Sequence, residues 1–277
     1  MIIIGEKING AIPAVRKAIE ERDSELIQSR AIAQDLAGAD YIDCAPGTVP
    51  DQEYKAMVWL IEEIQKVTEK PICIDSPNAR LLARRIEDGH LHRPGIVNSV
   101  NEEGDKCEMI FPLLAETQWE VIGLTCDDQG IPEDPEKKIA IARTIIQKAD
   151  FYGVARERLH IDPCVMALAA VPSAMKDFEK VICEIHDFAP AVKITGAISN
   201  ISYDMPARKY VNICCMAYAI HEGLDSAIMD PLDGDLMSSI YACEALCMKD
   251  RGGRKYNKAY RRGKIGTNRR EDWKMKI

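Results

Sequence analysis

The sequence predicts an α/β fold, a single-domain (β/α)8 TIM barrel, and three observations carry that prediction. Short apolar runs alternate with helix-like stretches along nearly the whole chain, and such alternation builds a parallel sheet. There are about eight such strand–helix units, the number that closes a barrel in a chain of roughly 250 residues. A polar residue follows run after run: Asp43, Asp75, Asn98, Asp162 and Asp230. In a closed parallel barrel the carboxyl ends of all strands meet at one mouth, so these scattered side chains converge on one pocket.

The elements follow in order. The first strand is Ile2 to Gly5, and the polar turn Glu6-Lys7-Ile8-Asn9-Gly10 leaves it. Residues 11–37 are helical in pattern, with a break at Arg22-Asp23-Ser24. Strand two, Tyr41 to Cys44, ends in the turn Ala45-Pro46-Gly47. In the helix over residues 51–69, Met57, Leu60, Ile61 and Ile64 share one face. Strand three is Ile72 to Ile74, a helix spans residues 78–87, and strand four runs from Gly95 to Asn98. A helix over residues 104–115 precedes strand five, Glu120 to Thr125. The polar loop from Cys126 to Pro132 is long enough to cover the mouth. Asp134 then reads as the N-cap of a helix with Pro135 at its first position. Strands six, seven and eight are Leu159 to Ile161, Ala191 to Thr195 and Ala227 to Met229. Helices over residues 173–187, 207–221 and 235–249 complete the alternation.

The barrel is expected over residues 1–249, followed by a basic tail over 250–277. That tail holds Arg251, Arg254, Lys255, Lys258, Arg261, Arg262, Lys264, Arg269 and Arg270, and it reads as a solvated or disordered segment. Its sharper reading is a docking surface for an acidic partner or an anionic ligand tail. The net charge of −8 argues against general affinity for nucleic acid. Most of the ten cysteines lie in apolar runs without metal-ligand spacing, which suits a reducing cytoplasm. No signal-peptide pattern opens the chain, and no apolar run approaches the ~18 residues of a membrane span.

The predicted rim holds Asn9, Asp43, Asp75, Asn98, Asp162, Asn200 and Asp230. Buried carboxylates accept paired N–H donors and a buried amide both donates and accepts. Such a pocket, with no obvious nucleophile, suits a flat ligand with many donors and acceptors, and Asp75, Asn98 and Asp162 together match the edges of a pterin ring. Each residue also has a plainer reading. Asp75 and Asp162 could cap the helices after their strands, Asn98 could be a turn residue, and Asn200 could organise its loop. Arg208 could pair with a pocket carboxylate or lie along its helix. Lys193 in Val192-Lys193-Ile194-Thr195-Gly196 raises a Schiff-base alternative. His90-Leu91-His92 lies at the wrong end of the barrel for a site.

Read together, several segments resemble one family. They are Gly5-Glu6-Lys7-Ile8-Asn9-Gly10, Cys73-Ile74-Asp75-Ser76, Val97-Asn98-Ser99, Ile122-Gly123-Leu124-Thr125, Ile161-Asp162-Pro163 and Ser199-Asn200-Ile201-Ser202. In order and spacing they resemble the methyltetrahydrofolate:corrinoid protein methyltransferases, whose barrel is also that of dihydropteroate synthase. The resemblance implies an enzyme that moves a methyl group between N5 of tetrahydrofolate and a corrinoid (cobalamin) carried by a partner protein. It implies pterin contacts at Asp75, Asn98 and Asp162, and Asn200 near N5. Asn200 and Asp75 are then the candidate catalytic groups. Asp43, Asn9, Gly196, Ser199, Tyr203 and Arg208 complete the candidate ring site. No metal ligands are expected on this chain, and a homodimer is implied. The family's Asn-bearing turn is replaced by Cys44-Ala45-Pro46-Gly47, and Tyr203 stands where a family member carries Gln. These changes point to another physiological partner in one-carbon metabolism, such as a demethylation system. Two alternatives stay open: a dihydropteroate synthase-like enzyme, whose Asp-x-Gly-Gly-Glu-Ser turn is absent after strand two, and a pterin-binding protein without turnover.

Overall fold

The computed structural model describes residues 1–48 and 50–265. Eight strands lie parallel in one sheet: β1 (Ile2–Gly5), β2 (Tyr41–Cys44), β3 (Ile72–Asp75), β4 (Ile96–Glu102), β5 (Glu120–Asp127), β6 (Leu159–Asp162), β7 (Lys193–Ile194) and β8 (Ser226–Met229). The order is β7-β6-β5-β4-β3-β2-β1-β8. The ends of this order meet through backbone bonds. Asp225 N donates to Ile194 O at 2.9 Å, and Ile228 N donates to Gly196 O at 3.2 Å. The sheet is therefore a nearly closed (β/α)8 barrel, as the sequence predicts.

Helices α1 (Pro13–Glu21), α2 (Ser24–Ala37), α3 (Pro50–Gln65), α4 (Ala79–Glu87), α5 (Lys106–Leu114), α6 (Pro135–Phe151), α7 (Ala174–Phe188), α8 (Arg208–Glu222) and α9 (Gly234–Leu246) surround it. The break between α1 and α2 falls at Arg22, whose φ of 57° ends α1 in a left-handed turn. Asp134 caps α6 by accepting from Glu136 N. Met57, Leu60, Ile61 and Ile64 of α3 are fully buried, as their shared face predicts. Two apolar layers result. One lies between strands and helices, and a smaller one, Ile4, Cys73, Ile96 and Ile122, fills the barrel interior.

Several expectations change, and β7 covers only Lys193–Ile194 of the stretch from Ala191 to Thr195 predicted for it. β4 and β5 run past their predicted ends, to Glu102 and Asp127, through register shifts between Asn98, Val100 and Glu102. The extension carries Asn101 onto the mouth. Within the basic segment expected as a solvated tail, α10 (Arg254–Arg261) is helical and its Ala259 is buried. Asp250 anchors this helix by accepting from Lys255 N and Tyr256 N. Arg269 and Arg270 lie outside the described residues.

The barrel floor is closed by a polar network. Glu120 accepts from Tyr41 Oη at 2.8 Å, meets His160 Nε2 at 2.6 Å and pairs with Lys193. His160 Nδ1 lies 2.8 Å from Ser226 Oγ. Lys193 is thus an ion-pair partner at the amino-terminal end of the strands, opposite the mouth, and the Schiff-base alternative loses its geometry. Burial alone would raise the Glu120 carboxyl, but the hydrogen bonds of His160, Lys193 and Tyr41 bring it down to about 2. A carboxyl depressed in the fold adds stability above its unfolded value, near ~4.3. That stability is lost as pH falls through the folded value. Glu120→Gln is therefore expected to lower the melting temperature at pH 7 and to flatten its fall between about pH 4 and pH 2. Thermal unfolding across that range checks both effects.

Candidate functional site

At the other end of the barrel the strand ends surround a cavity of about 540 Å³. Asn9, Asp43, Asp75, Asn98, Asp162, Ser199 and Asn200 line it. Sheet register explains the convergence. Asp75 pairs with Asn98 across β3 and β4, Leu124 pairs with Asp162 across β5 and β6, and Asp43 lies opposite Cys73 across β2 and β3.

The helix starts decide between capping and ligand binding. Asn78, not Asp75, caps α4, accepting from Arg80 N and Leu81 N. Ser76 Oγ donates to Glu53 Oε1 at 2.7 Å and accepts from Asn78 N, which fixes the turn behind Asp75. Asp162 does hold its own loop: Oδ1 accepts from Cys164 N at 2.7 Å, and Thr125 Oγ1 donates to the Asp162 carbonyl. Asn9 folds back onto Ala11 N, which makes it a turn former that also faces the cavity.

Burial dominates the electrostatics. Asp43 is only 1% exposed, and its Oδ1 has no hydrogen-bond partner among the described residues. Burial first, and the charge of Asp75 second, push its carboxyl well above the usual range. Burial, then Glu53, raises Asp75 to about 7. Burial raises Asp162 to about 6 against the opposing pull of the Cys164 backbone N–H and Lys138. In all three, lost hydration outweighs what the surrounding protein returns, so a ligand bringing N–H donors gains by pairing them.

A carboxyl raised in the fold costs stability above its unfolded value, and the cost is complete above its folded value. Between about pH 4 and pH 7 the ligand-free protein therefore loses stability as Asp162 and Asp75 ionise. Asp162→Asn keeps the oxygen that Cys164 N needs. It is expected to raise the unfolding free energy at pH 8 by roughly 1–3 kcal/mol, each tenfold change in proton affinity being worth ~1.4 kcal/mol. It should change little at pH 4. Urea unfolding at the two pH values checks it.

The remaining predicted residues divide. Asn200 stands in a short 3-10 turn, Ile198–Ser202, exposed at the cavity edge. Gly196 does not line the cavity, although a Cβ there would lie 3.7 Å from Asp162 Oδ1. Arg208 Nη2 donates to Ser199 O at 2.7 Å and Nε to Ser202 Oγ at 2.9 Å, so it braces the Asn200 turn. Arg208 itself lines an adjoining hollow of about 260 Å³, together with Asp230. Asp230 lies 3.3 Å from Lys7 Nζ there. Tyr203 is 62% exposed and lines neither hollow. Sequence reasoning does not single out Glu6, Asn101, Glu103, Lys106, Cys164 and Ile131, which also line the cavity. Ile131 belongs to the loop expected over the mouth. For Asn101 the available signal is Val100, which continues the strand past Asn98. No group of three or more His, Cys, Asp or Glu residues arranged to hold a metal is present among the described residues.

A barrel whose strand ends carry buried acceptors and an amide around one cavity defines a class of protein that holds a flat ligand by its hydrogen-bonding edges. Comparison with known proteins makes the class specific. The family model described as pterin binding enzyme matches residues 15–230, and the chain belongs to that family. It is 45% identical over 268 residues to the methylcorrinoid:tetrahydrofolate methyltransferase of Eubacterium limosum, covering 96% of this chain and 98% of that protein. It is 31% identical over 242 residues to methionine synthase of Mycobacterium leprae, covering 83% of this chain and 20% of that longer protein. Dihydropteroate synthase from Xanthomonas albilineans, in complex with 7,8-dihydropteroate, has the same fold, with a TM-score of 0.61 at 15% identity over 90% of this chain and 93% of that one.

Proposed function

We propose that this protein is a methyltransferase that carries a methyl group from a corrinoid protein to N5 of tetrahydrofolate. The observation that carries this is the near-complete, 45% identical match to a methylcorrinoid:tetrahydrofolate methyltransferase, on a chain whose strand ends supply the matching acceptors. Asp75, Asn98 and Asp162 are proposed to hold the pterin ring, with Asp43 behind Asp75. The cavity volume lies in the range of sites that enclose small organic ligands.

When bound, the partner's corrinoid supplies the methyl group on cobalt. The protein's own contribution is placement. Asp75 and Asp162 fix the ring by its N–H edge, and Asn98 spans a donor and an acceptor. Asn200 is proposed to face N5, its carbonyl accepting the N5–H and orienting the lone pair toward the open mouth. Holding both partners in line lowers the barrier, because their orientation is set before the reaction begins. As positive charge develops at N5, the amide dipole stabilises it. The N5 proton then departs toward solvent at the mouth, where Asn200 is exposed.

A homodimer is proposed as well. What supports it is an apolar face formed by Leu168, Met175, Ile201, Tyr210, Val211 and Tyr218 between α7 and α8, with Tyr210 69% exposed. A cytoplasmic setting is proposed too, supported by ten cysteines that are all free thiols, the state a reducing compartment maintains. Among the described residues no helix is long and apolar enough to cross a membrane.

The test against the other pterin chemistry is direct. The protein should bind tetrahydrofolate and should not condense a pterin pyrophosphate with p-aminobenzoate. Turnover of that second pair would replace this proposal with a dihydropteroate synthase-like activity.

A further inference from the structure

The ring cavity has a neighbour. The hollow of about 260 Å³ that Arg208 lines opens between the Asn200 turn, the first turn of α8 and the connection from β8 to α9. Glu6 and Ser199 line both spaces, so the two adjoin. The volume falls below the roughly 300–1,000 Å³ of pockets that bury a whole drug-sized ligand. It therefore suits one arm of a ligand whose other part lies elsewhere. We infer that this side hollow holds the p-aminobenzoyl-glutamate arm of tetrahydrofolate, with Asn212 meeting its amide and the start of α8 meeting its carboxylates. The assignment rests on the proposed pterin reading.

The lining matches the arm part by part. Ile198, Met216, Met229 and Leu236 are buried and form an apolar wall. A thioether sulfur beside an aromatic ring is a favourable contact. Asn212 lines the hollow one helical turn after Arg208, and its Oδ1 is buried with no hydrogen-bond partner among the described residues. A buried amide oxygen without a donor is costly. A second amide is the group that answers both ends of an asparagine side chain, its carbonyl accepting and its N–H donating.

Cations gather at the start of α8. Arg208 braces the Asn200 turn through Nε and Nη2, and Nη1 makes neither of those bonds. Lys209 follows it, half exposed, beside Asp235. Ala207 enters α8 at a φ of 50° and supplies no side-chain cap, so the first N–H groups of the helix lack a side-chain acceptor. Cations and a helix start both favour a carboxylate.

The acids of the lining fit the same ligand. Asp233 caps α9 by accepting from Asp235 N and Leu236 N. Asp230 accepts from Leu232 N and lies beside Lys7. Glu6 stands at the junction of the two spaces, where it can accept the anilino N–H that links ring and arm. A bare phosphate, with no N–H to offer, is the poorer match to a lining that carries three carboxylates. Position adds a reason. The methyl donor must come down on N5 through the mouth, and an arm lying across the mouth would block it. The side hollow draws the arm toward β8 and leaves the mouth open.

The test compares tetrahydrofolate with 6-methyltetrahydropterin, which keeps the ring and lacks the arm, by calorimetric titration of the full-length protein. The wild type should bind tetrahydrofolate about tenfold or more tightly. Asn212→Ala should weaken tetrahydrofolate binding by roughly 5–30-fold and leave the armless pterin unchanged. Lys209→Ala should weaken tetrahydrofolate alone, by a factor that shrinks as salt is added. Equal affinity of the wild type for the two pterins overturns the arm assignment while the ring reading stands. So does an Asn212→Ala variant that binds tetrahydrofolate like the wild type, or one that loses both ligands equally. Unchanged affinity in Lys209→Ala removes Lys209 from the carboxylate contact. A wild type that binds neither pterin overturns the ring reading and the arm with it.

Discussion

Asp75→Ala and Asp162→Ala should each weaken tetrahydrofolate binding by roughly 5–150-fold, the equivalent of about 1–3 kcal/mol for a buried donor left without its partner. The expectation comes from the pocket's electrostatics. Both carboxyls are held in a desolvated wall and raised, to about 7 and about 6, chiefly by burial. A ring edge with adjacent N–H groups exchanges water for a charge-assisted bond there. Removing the acceptor strands the ring's N–H groups in the same dry wall. Affinity should also carry a pH signature: it should rise as pH increases through about 6–7, where the two groups ionise, and level off above. Asp75→Ala should remove the upper part of that rise, because Asp75 ionises later. Calorimetric titration of tetrahydrofolate into both variants between about pH 5.5 and pH 8 reads magnitude and profile together. Unchanged affinity in both variants would sink the ring assignment.

Asn200→Ala should act on rate more than on binding. The ground-state ring is held by Asp75, Asn98 and Asp162, whereas the Asn200 amide matters most as charge develops at N5. Removing one preorganised hydrogen-bonding group costs roughly 10²–10³ in rate at a sequestered site. Here the expected loss is smaller, roughly tenfold to a hundredfold, because Asn200 is exposed at the mouth and water can partly replace it. Asn200→Asp separates orientation from charge: a carboxylate can still accept from N5–H and should keep more of the rate than alanine. Single-turnover transfer at saturating tetrahydrofolate measures the effect. A wild-type rate for Asn200→Ala would mean that Asn200 only organises the turn that Arg208 braces, and that another group faces N5.

The barrel and most of its mouth are legible in the sequence because both depend on local pattern. A buried strand reads as an apolar run, and the residue that leaves it must face the mouth, so Asp43, Asp75, Asn98 and Asp162 can be placed without any tertiary contact. What depends on register is not legible. Glu120 and Lys193 are separated by 73 positions, and nothing near either one announces that they meet on the barrel floor. Asp75 and Asn78 show a different limit. Either could cap α4 by composition, and only the turn built by Ser76 and Glu53 assigns the cap to Asn78 and leaves Asp75 to the cavity. Family resemblance puts Tyr203 near the ring, but the turn at Ile198–Ser202 carries it outward. Charge alone makes the basic stretch a solvated tail and hides the small apolar seat of Ala259 that lets α10 pack.

The most direct measurement is transfer of an isotope-labelled methyl group from free methylcobalamin, as a surrogate for the corrinoid protein, to tetrahydrofolate. Labelled methyl should appear on N5 at the rate at which the methyl–cobalt absorbance is lost, with both abolished or strongly slowed in Asp75→Ala. Tight tetrahydrofolate binding with no labelled product, from free methylcobalamin or from a methylated corrinoid protein, would contradict the methyltransferase assignment and leave a pterin-binding protein without turnover.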